Sequence, residues 1–235
     1  MRRRGNEQGE AERQCGEMDV KPVPGLEHLP YAEVWFHELD DTRLHDASSA
    51  ARALGKTGLE AWTTTRTPEV AERLAARGYE EVRRYVVSEL DVAAAPDPGE
   101  PAYDIVPASD RPDLIERLYA IARIAYADQP GRAETRIDES WFQWGLLPGP
   151  AFVAVEDDTV LGYGVLNNFL AVAREARGRG VAGAVKRAQI AWAKANGVAT
   201  LTTANEVRLE QMLALNRRLG YRPLYEEIVL RGPLV

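Results

Sequence analysis

A glycine-containing passage in the second half of the chain constrains its fold more than any other feature. Residues 170–182 read Leu-Ala-Val-Ala-Arg-Glu-Ala-Arg-Gly-Arg-Gly-Val-Ala. Gly178 and Gly180 have no Cβ, so the backbone there can turn sharply and lie close to a ligand. The helix that follows leaves the N–H groups of its first turn unpaired, and its dipole favours an anion, as do Arg177 and Arg179. The passage predicts a cradle for an anion, in the first place a pyrophosphate; a helix start with basic surface residues is the alternative.

The flanking residues place this loop between a strand and a helix. Before it, an apolar run typical of a strand ends with Leu170, Ala171, Val172 and Ala173. After it, apolar side chains recur at helical spacing and define one helix face. These are Val181, Val185, Ala188, Trp192 and Ala195. Another strand is predicted over residues 198–203.

The loop also resembles a known signature. Arg177-Gly178-Arg179-Gly180-Val181-Ala182 matches Gln/Arg-x-x-Gly-x-Gly/Ala, the signature of the GNAT superfamily of N-acetyltransferases. The resemblance implies an α/β (α+β) fold with a mixed, mostly antiparallel sheet flanked by helices. It also implies that residues 177–182 hold the pyrophosphate of acetyl-CoA, the co-substrate. The strand 170–173 would then bind the pantetheine arm and supply N–H groups to the developing oxyanion.

An internal echo indicates a partial second copy of this fold. Residues 58–64 (Gly-Leu-Glu-Ala-Trp-Thr-Thr) are followed by a helix and Gly78-Tyr79. Residues 197–203 (Gly-Val-Ala-Thr-Leu-Thr-Thr) are followed by a helix and Gly220-Tyr221. Repeats of this size suggest duplicated supersecondary units; chance similarity is the alternative. The first copy has no Gly-x-Gly before its helix, which Asp41 or Thr42 would cap, so we expect it to lack the cofactor loop.

These signals divide the chain into four segments. We expect a disordered tail and linker over residues 1–28 and a partial GNAT-like lobe over 29–92. An Ala-, Pro- and Gly-rich linker follows over 93–101, and an acetyl-CoA-binding GNAT domain over 102–235. Within that domain the sequence predicts a long helix over 110–128 and a hairpin around Asp157-Asp158.

Composition narrows the class of ligand. The net charge of −7 argues against a nucleic-acid binder, so a local basic loop favours a small anion. A single Cys15 and the lack of a signal peptide or membrane-spanning run predict a cytoplasmic protein without membrane contact. A monomer or homodimer is expected. His28, His37 and His45 have no metal-ligand spacing, so no metal is expected.

The catalytic residues are less clear. Many GNAT enzymes place a tyrosine general acid five residues before the aromatic of the Gly-aromatic pair, which here gives Asn216. An amide can donate a hydrogen bond to sulfur but cannot deliver a proton at neutral pH, so Asn216 would solvate the thiolate or bond its own helix. Asn205 would contact the cofactor or cap a helix over residues 207–219. Glu156 is a candidate base, or an exposed hairpin carboxylate, and Tyr163 could face the cleft or the core.

Residues 141–144 complete the candidates. Trp141, Phe142 and Trp144 correspond to a GNAT segment that often lines the acceptor pocket, although core packing is favoured for at least one of them.

The sequence thus predicts an N-acetyltransferase that transfers an acetyl group from acetyl-CoA to a primary amine of a small molecule or peptide. The alternatives are a non-catalytic acyl-CoA-binding sensor or assembly module, and a phosphate-binding regulator.

Overall fold

The structure, a computed structural model, describes residues 18–23, 25–97, 99 and 101–235. Ten strands run in chain order: β1 (Lys21–Pro22), β2 (Tyr31–Trp35), β3 (Gly58–Thr64), β4 (Glu80–Asp91), β5 (Asp104–Pro107), β6 (Ala151–Glu156), β7 (Thr159–Val165), β8 (Leu170–Val172), β9 (Thr200–Glu206) and β10 (Arg222–Pro233). The α-helices are α1 (Asp41–Ala53), α2 (Pro68–Ala75), α3 (Ile115–Ala127), α4 (Glu139–Trp141), α5 (Val181–Ala195) and α6 (Glu210–Arg218). Short 3-10 turns and a π-helical turn at Phe142–Leu146 complete the elements.

The first sheet is an antiparallel meander of four strands in the order β5-β6-β7-β8. Its central hairpin turns at Asp157 and Asp158, whose φ angles of 47° and 59° match a two-residue turn with both residues left-handed. A second turn at Asn167 (φ 56°) connects β7 to β8. The predicted hairpin is therefore confirmed. Because β8 is the last strand, one of its edges is unpaired.

The second sheet interleaves strands from the two copies of the echo. Its order is β1-β2-β3-β10-β4-β9, so β10 lies between β3 and β4, and β4 lies between β10 and β9. The β2–β3 pair is parallel, whereas the other pairs are antiparallel. Both sheets are mainly antiparallel and flanked by helices, so the predicted fold class is confirmed. The division into residues 29–92 and 102–235 stays a prediction, since this sheet takes strands from both sides of the linker.

A buried ion pair joins the interleaved strands. The Glu60 carboxylate of β3 accepts from the Arg83 guanidinium of β4 and, at 2.8 Å, from Arg231 Nε of β10. The side chains of Glu60 and Arg83 are 0% and 1% exposed. Charges this deeply buried require partners, and the contacts of Glu60 with both β10 and β4 agree with the strand order β3-β10-β4.

Helix α5 lies between the two sheets and buries two faces. Val181 and Val185 belong to the face predicted from the sequence and pack on the four-stranded sheet. Ile190 and Ala193 form a second face, which packs with Leu201 of β9. The prediction of one buried face was wrong for Ala195, which is exposed at the C-terminal end of α5. Contact with two sheets adds the second buried face that the spacing did not predict.

Other element boundaries also differ from the predictions. The segment predicted as one helix over residues 110–128 begins at the end of one 3-10 turn (Ala108–Asp110) and contains a second (Pro112–Leu114) before α3 begins at Ile115. Pro112 lacks the N–H of a helix interior. The cap of α1 is Asp40, whose Oδ1 accepts from the Arg43 N–H at 2.7 Å, rather than Asp41 or Thr42.

The described end of the predicted tail is ordered. Residues 21–22 form β1, and Val23 and Leu26 are buried. Gly25 accepts from the Arg136 N–H at 2.7 Å, so this segment packs against the loop before α4. Residues 1–17 of the predicted tail lie outside the described residues.

Candidate acyl-CoA cleft

The loop before α5 forms an open turn with free backbone donors. Gly178 and Gly180 have φ angles of +79° and +87°, and a Cβ at either position would meet nothing within 4 Å. Gly180 is the N-cap of α5 and supplies no side chain. Within the described chain, the N–H groups of Gly178, Gly180, Val181 and Ala182 donate to no protein acceptor. An anion could therefore occupy the space that a capping side chain fills at other helix starts.

The arginines beside this loop are paired with carboxylates. Arg177 contacts Asp128 at 2.8 Å, and Arg174 forms a second ion pair with the same carboxylate. Hydrogen bonding to Arg174 lowers the pKa of Asp128 to about 2. Arg179 pairs with Glu156 at 2.6 Å. All three arginine side chains are 41% exposed or more, and exposed pairs are weak, so an incoming diphosphate could replace these partners.

Strands β8 and β9 are neighbouring edges that do not pair. The four-stranded sheet ends with β8 and the six-stranded sheet ends with β9. At one end, Asn167 Oδ1 accepts from the Thr202 N–H at 2.9 Å and holds the two sheets together. Between the strands lies a cleft of about 110 Å³. Its lining includes Leu170 from β8, Thr202, Thr203, Asn205 and Glu206 from β9, Lys186 and Gln189 from α5, Tyr85 from β4, and Tyr221.

The unpaired edge of β8 supplies backbone groups to this cleft. The Ala173 N–H donates to Leu161 of β7 at 2.9 Å, and Phe169 accepts from Val165 at 2.8 Å. Bonded and unbonded residues alternate along an antiparallel edge, so Leu170 and Val172 direct their backbone groups away from β7. Leu170 lines the cleft, whereas the Val172 carbonyl accepts from Arg177 Nε at 3.2 Å. These are the groups expected to bind a pantetheine arm.

The structure brings two of the sequence-predicted residues together. Asn216 is 2% exposed, and its Nδ2 donates to Asn205 Oδ1 at 2.6 Å. Thr203 Oγ1 donates to the same oxygen at 3.3 Å. Asn205 lines the cleft, whereas Asn216 lies behind it. Asn205 is also not a helix cap, because β9 continues to Glu206 and α6 begins only at Glu210.

The remaining candidates lie elsewhere. Glu156 ends β6 beside Arg179 and is not among the residues that line the cleft. Tyr163 is fully buried in the core, where burial raises its pKa strongly. Phe142 is a core residue, whereas Trp144 is 65% exposed. Trp141 packs edge-on against Tyr126.

Sequence reasoning missed two charged residues of the cleft. Lys186 is 5% exposed on α5, and Glu206 is 2% exposed at the end of β9. Glu206 has a partner in Arg208 at 2.6 Å. In the sequence, Lys186 and Gln189 share the helical spacing of Ile190 and Ala193, the apolar residues of the second buried face. This spacing indicates burial only weakly, because polar residues at the same spacing also occur on solvated helix faces.

Comparisons with known proteins agree with this geometry. Residues 115–221 match the model of the Acetyltransferase (GNAT) family, so the chain contains a GNAT acetyltransferase domain. A search of curated proteins gives no match.

Solved structures extend the likeness beyond the matched domain. A GCN5-related N-acetyltransferase from Sphaerobacter thermophilus has a TM-score of 0.67 at 18% identity, over 92% of this chain and 76% of its own. A tandem GNAT protein from the clavulanic acid biosynthesis pathway has a TM-score of 0.62 at 20% identity, over 88% and 76%. A GCN5-related N-acetyltransferase from Kribbella flavida has 0.56 at 17%, over 86% and 81%. At these identities the likeness concerns the fold.

Two features are absent from the described part of the chain. None of its helices has the length and apolar character needed to cross a membrane. In the same residues, no three His, Cys, Asp or Glu side chains are grouped as metal ligands would be.

Proposed function

We propose that the protein is an N-acetyltransferase that transfers an acetyl group from acetyl-CoA to a primary amine of a small molecule or peptide. The observation that carries the proposal is the combination of an open glycine loop at the start of α5 with a cleft that is lined by Lys186 and Gln189 of the same helix. This cleft lies between the edges of β8 and β9, which do not pair with each other. Residues 102–235 would form the acetyl-CoA-binding domain, and residues 29–92 a partial lobe without a cofactor loop.

The loop fits a diphosphate in shape and charge. Both glycines have open space where a Cβ would stand, and their N–H groups are free. The helix dipole adds partial positive charge. On binding, Arg177 and Arg179 would exchange Asp128 and Glu156 for phosphate oxygens, with which arginine forms strong charge-assisted hydrogen bonds.

The cleft fits the rest of the co-substrate. The edge of β8 at Leu170 and Val172 offers hydrogen bonds to the amides of the pantetheine arm, as for an added strand; at Val172 the arm would replace the hydrogen bond from Arg177 Nε to the carbonyl. A backbone N–H at this edge would also polarise the thioester carbonyl and stabilise the oxyanion. The acceptor amine must attack in its neutral form, so its proton passes to a base or to water.

Two measurements test the proposal. Acetyl-CoA at 100 times its Kd should stabilise the protein by about 2.7 kcal/mol, which corresponds to a rise in Tm of roughly 5–10 °C for a chain of this size. Thiol release from acetyl-CoA should then appear with members of a primary-amine panel. Binding without turnover would favour the sensor, a role suggested by Asn216 at the tyrosine position. A thermal shift that free phosphate or simple nucleotides reproduce would favour the regulator.

A further inference from the structure

Lys186 is a buried cation in the cleft without a counter-ion. Its side chain projects from α5, it is 5% exposed, and it lines the space between β8 and β9. Among the described residues it forms no ion pair, and its Nζ lies over the face of Tyr221, 4.8 Å from the ring centroid. Glu206 lines the same cleft but has Arg208 as its partner.

This arrangement is costly for a purely structural residue. A buried charge without a partner destabilises the folded state, and an apolar side chain of similar volume would fill the same space at lower cost. Gln189, one turn further along α5, leaves its Nε2 without an acceptor as well. Two donors without acceptors therefore lie in one cleft, which favours a ligand that carries or develops negative charge.

The asparagine at the family's tyrosine position does not meet this need. Asn216 lies behind Asn205, and its Nδ2 donates to Asn205 Oδ1 at 2.6 Å. Its amide group also has no proton to release at neutral pH. If the protein is an acetyltransferase, the leaving thiolate needs another proton donor.

We infer that Lys186 is the catalytic residue that stabilises and protonates the thiolate of CoA as it leaves. The inference rests on the proposed function. The nitrogen of the acceptor amine forms a bond to the acetyl carbon, the C–S bond breaks, and its electron pair stays on sulfur. The Lys186 ammonium gives its proton to that sulfur, which yields free CoA and the amide. The proton lost by the acceptor nitrogen goes to water, from which neutral Lys186 is protonated again.

The surroundings of Lys186 agree with proton transfer. Burial lowers its pKa to about 8, which is close to the value of ~8.5 for an alkyl thiol. The titratable and charged groups in the same cleft are Glu206 of β9, Tyr85 of β4, and Tyr221. Of these, Tyr221 has a pKa that burial raises to about 12, so it stays neutral while Lys186 titrates.

The first experiment compares Lys186→Met with Lys194→Met in the full-length protein. Lys194 lies on the same helix but is exposed and does not line the cleft. Lys186→Met should keep the thermal shift with acetyl-CoA and lose about 10²–10⁴-fold in kcat. In the wild type, kcat should fall as the pH rises above about 8, since the ammonium form is then lost; Lys186→Met should lose this alkaline limb. Full kcat and an unchanged pH profile in Lys186→Met would overturn the inference.

The second experiment needs no acceptor. The ultraviolet absorbance of the thiolate of bound CoA is titrated, with desulfo-CoA as the blank. The wild type should ionise this thiol about tenfold more readily than Lys186→Met does, because a nearby cation favours the thiolate. Lys186→Arg keeps the cation but cannot release its proton, so it should retain the easy ionisation and still lose turnover.

The two experiments separate the inference from the proposed function. No binding of acetyl-CoA by the wild type would overturn both. Binding without turnover would leave the thiol titration to decide whether Lys186 acts on the sulfur, and equal ionisation in the wild type and Lys186→Met would overturn that role. A further outcome is a thermal shift with succinyl-CoA that is well above that with acetyl-CoA and that disappears in Lys186→Met. It would show that the ammonium binds the carboxylate of the acyl group, and it would overturn the role of Lys186 as proton donor to the thiolate.

Discussion

The two copies of the internal echo share a common order of elements but differ at two points. The first runs β2-α1-β3-α2-β4 and the second β8-α5-β9-α6-β10. Both close their second helix in the same way: Tyr79 donates its N–H to Leu74 at 3.2 Å, and Tyr221 donates to Asn216 at 3.0 Å. The glycines before these tyrosines have φ angles of +82° and +94°. This shared geometry supports the interpretation of the echo as a duplication.

The first difference is at the start of the longer helix. In the first copy the Asp40 side chain caps α1 and accepts from the Arg43 N–H. In the second copy Gly180 stands at the corresponding position, and the N–H groups remain free. At the start of α1 the N–H groups bind a carboxylate of the protein itself, whereas at the start of α5 the corresponding N–H groups are open to a phosphate of a ligand.

The second difference is the gap between two strands. In the first copy β2 and β3 pair in parallel over five residues, from Tyr31 with Gly58 to Trp35 with Trp62. In the second copy β8 and β9 belong to different sheets and leave the cleft between them. The first copy nevertheless contributes to the site, since Tyr85 of β4 lines the cleft. Under the proposed function, the first copy would support the sheet and the second would bind the ligand.

Breaking the buried Glu60–Arg83 ion pair, to which Arg231 of the other copy also contributes, should have the largest effect on stability. Glu60→Gln leaves the buried Arg83 without its charged partner, so the free energy of unfolding should fall by about 3–5 kcal/mol. Urea denaturation followed by circular dichroism and by tryptophan fluorescence measures it. The control Glu81→Gln removes a half-exposed partner of Arg84 and should cost less than about 1 kcal/mol. Separate transitions with the two probes would show that the copies unfold independently.

Giving the second copy a carboxylate cap should remove ligand binding. Gly180→Asp places a negative charge in the open space at the start of α5, so the stabilisation of about 2.7 kcal/mol expected from acetyl-CoA at 100 times its Kd should disappear. Thermal shift measures this. Gly55→Asp is the matched control, because Gly55 has a φ of +71° in open space after α1. It carries the same backbone strain away from the cradle and should keep the shift.

The pH dependence of stability tests the burial of Lys186. Its folded pKa of about 8 lies below the ordinary value of 10.5, so the unfolded chain holds the proton more tightly and stability rises with pH between these values. Below pH 8 the buried Lys186 is charged, and the free-energy cost of burying that charge is present in full. Lys186→Met should therefore be more stable than the wild type by ~1–3 kcal/mol at pH 7, and the difference should shrink as the pH rises towards 10.5. A difference that is constant over this range would contradict the burial.

Removing the cap of the first copy should have the smallest effect. Asp40→Ala exposes the N–H groups of α1, and the free energy of unfolding should fall by about 1 kcal/mol. The thermal shift with acetyl-CoA should not change, because α1 is not part of the cleft. A weaker shift would mean that the first copy also binds the co-substrate.

Much of the site could be predicted from local sequence signals. The loop was found because two glycines between a strand and a helix are needed for left-handed backbone and close approach, and both have positive φ. The turn at Asp157-Asp158 followed from residues that tolerate the same region of φ. Asn216 was selected by its spacing from Tyr221, and in the structure its side chain contacts Asn205.

Long-range packing accounts for what the sequence did not predict. Lys186 has the spacing of a solvated residue on one side of a helix, and it is buried only because α5 contacts both sheets. Asparagine is a residue type that often caps helices, but Asn205 pairs with Val86 of β4, and β9 therefore continues past it. In each case the outcome depended on a segment far away in the chain.

The sequence by itself determined the elements, the turns between them and the glycine loop, because these depend on backbone conformations that a few neighbouring residues permit or forbid. The tertiary structure decided that β10 lies between β3 and β4, that β8 and β9 stay apart, and that Lys186 lies buried in the resulting cleft. Strand pairing and burial join residues more than a hundred positions apart, such as Glu60 and Arg231. The free energy of those contacts depends on the whole fold and is not encoded in any local pattern.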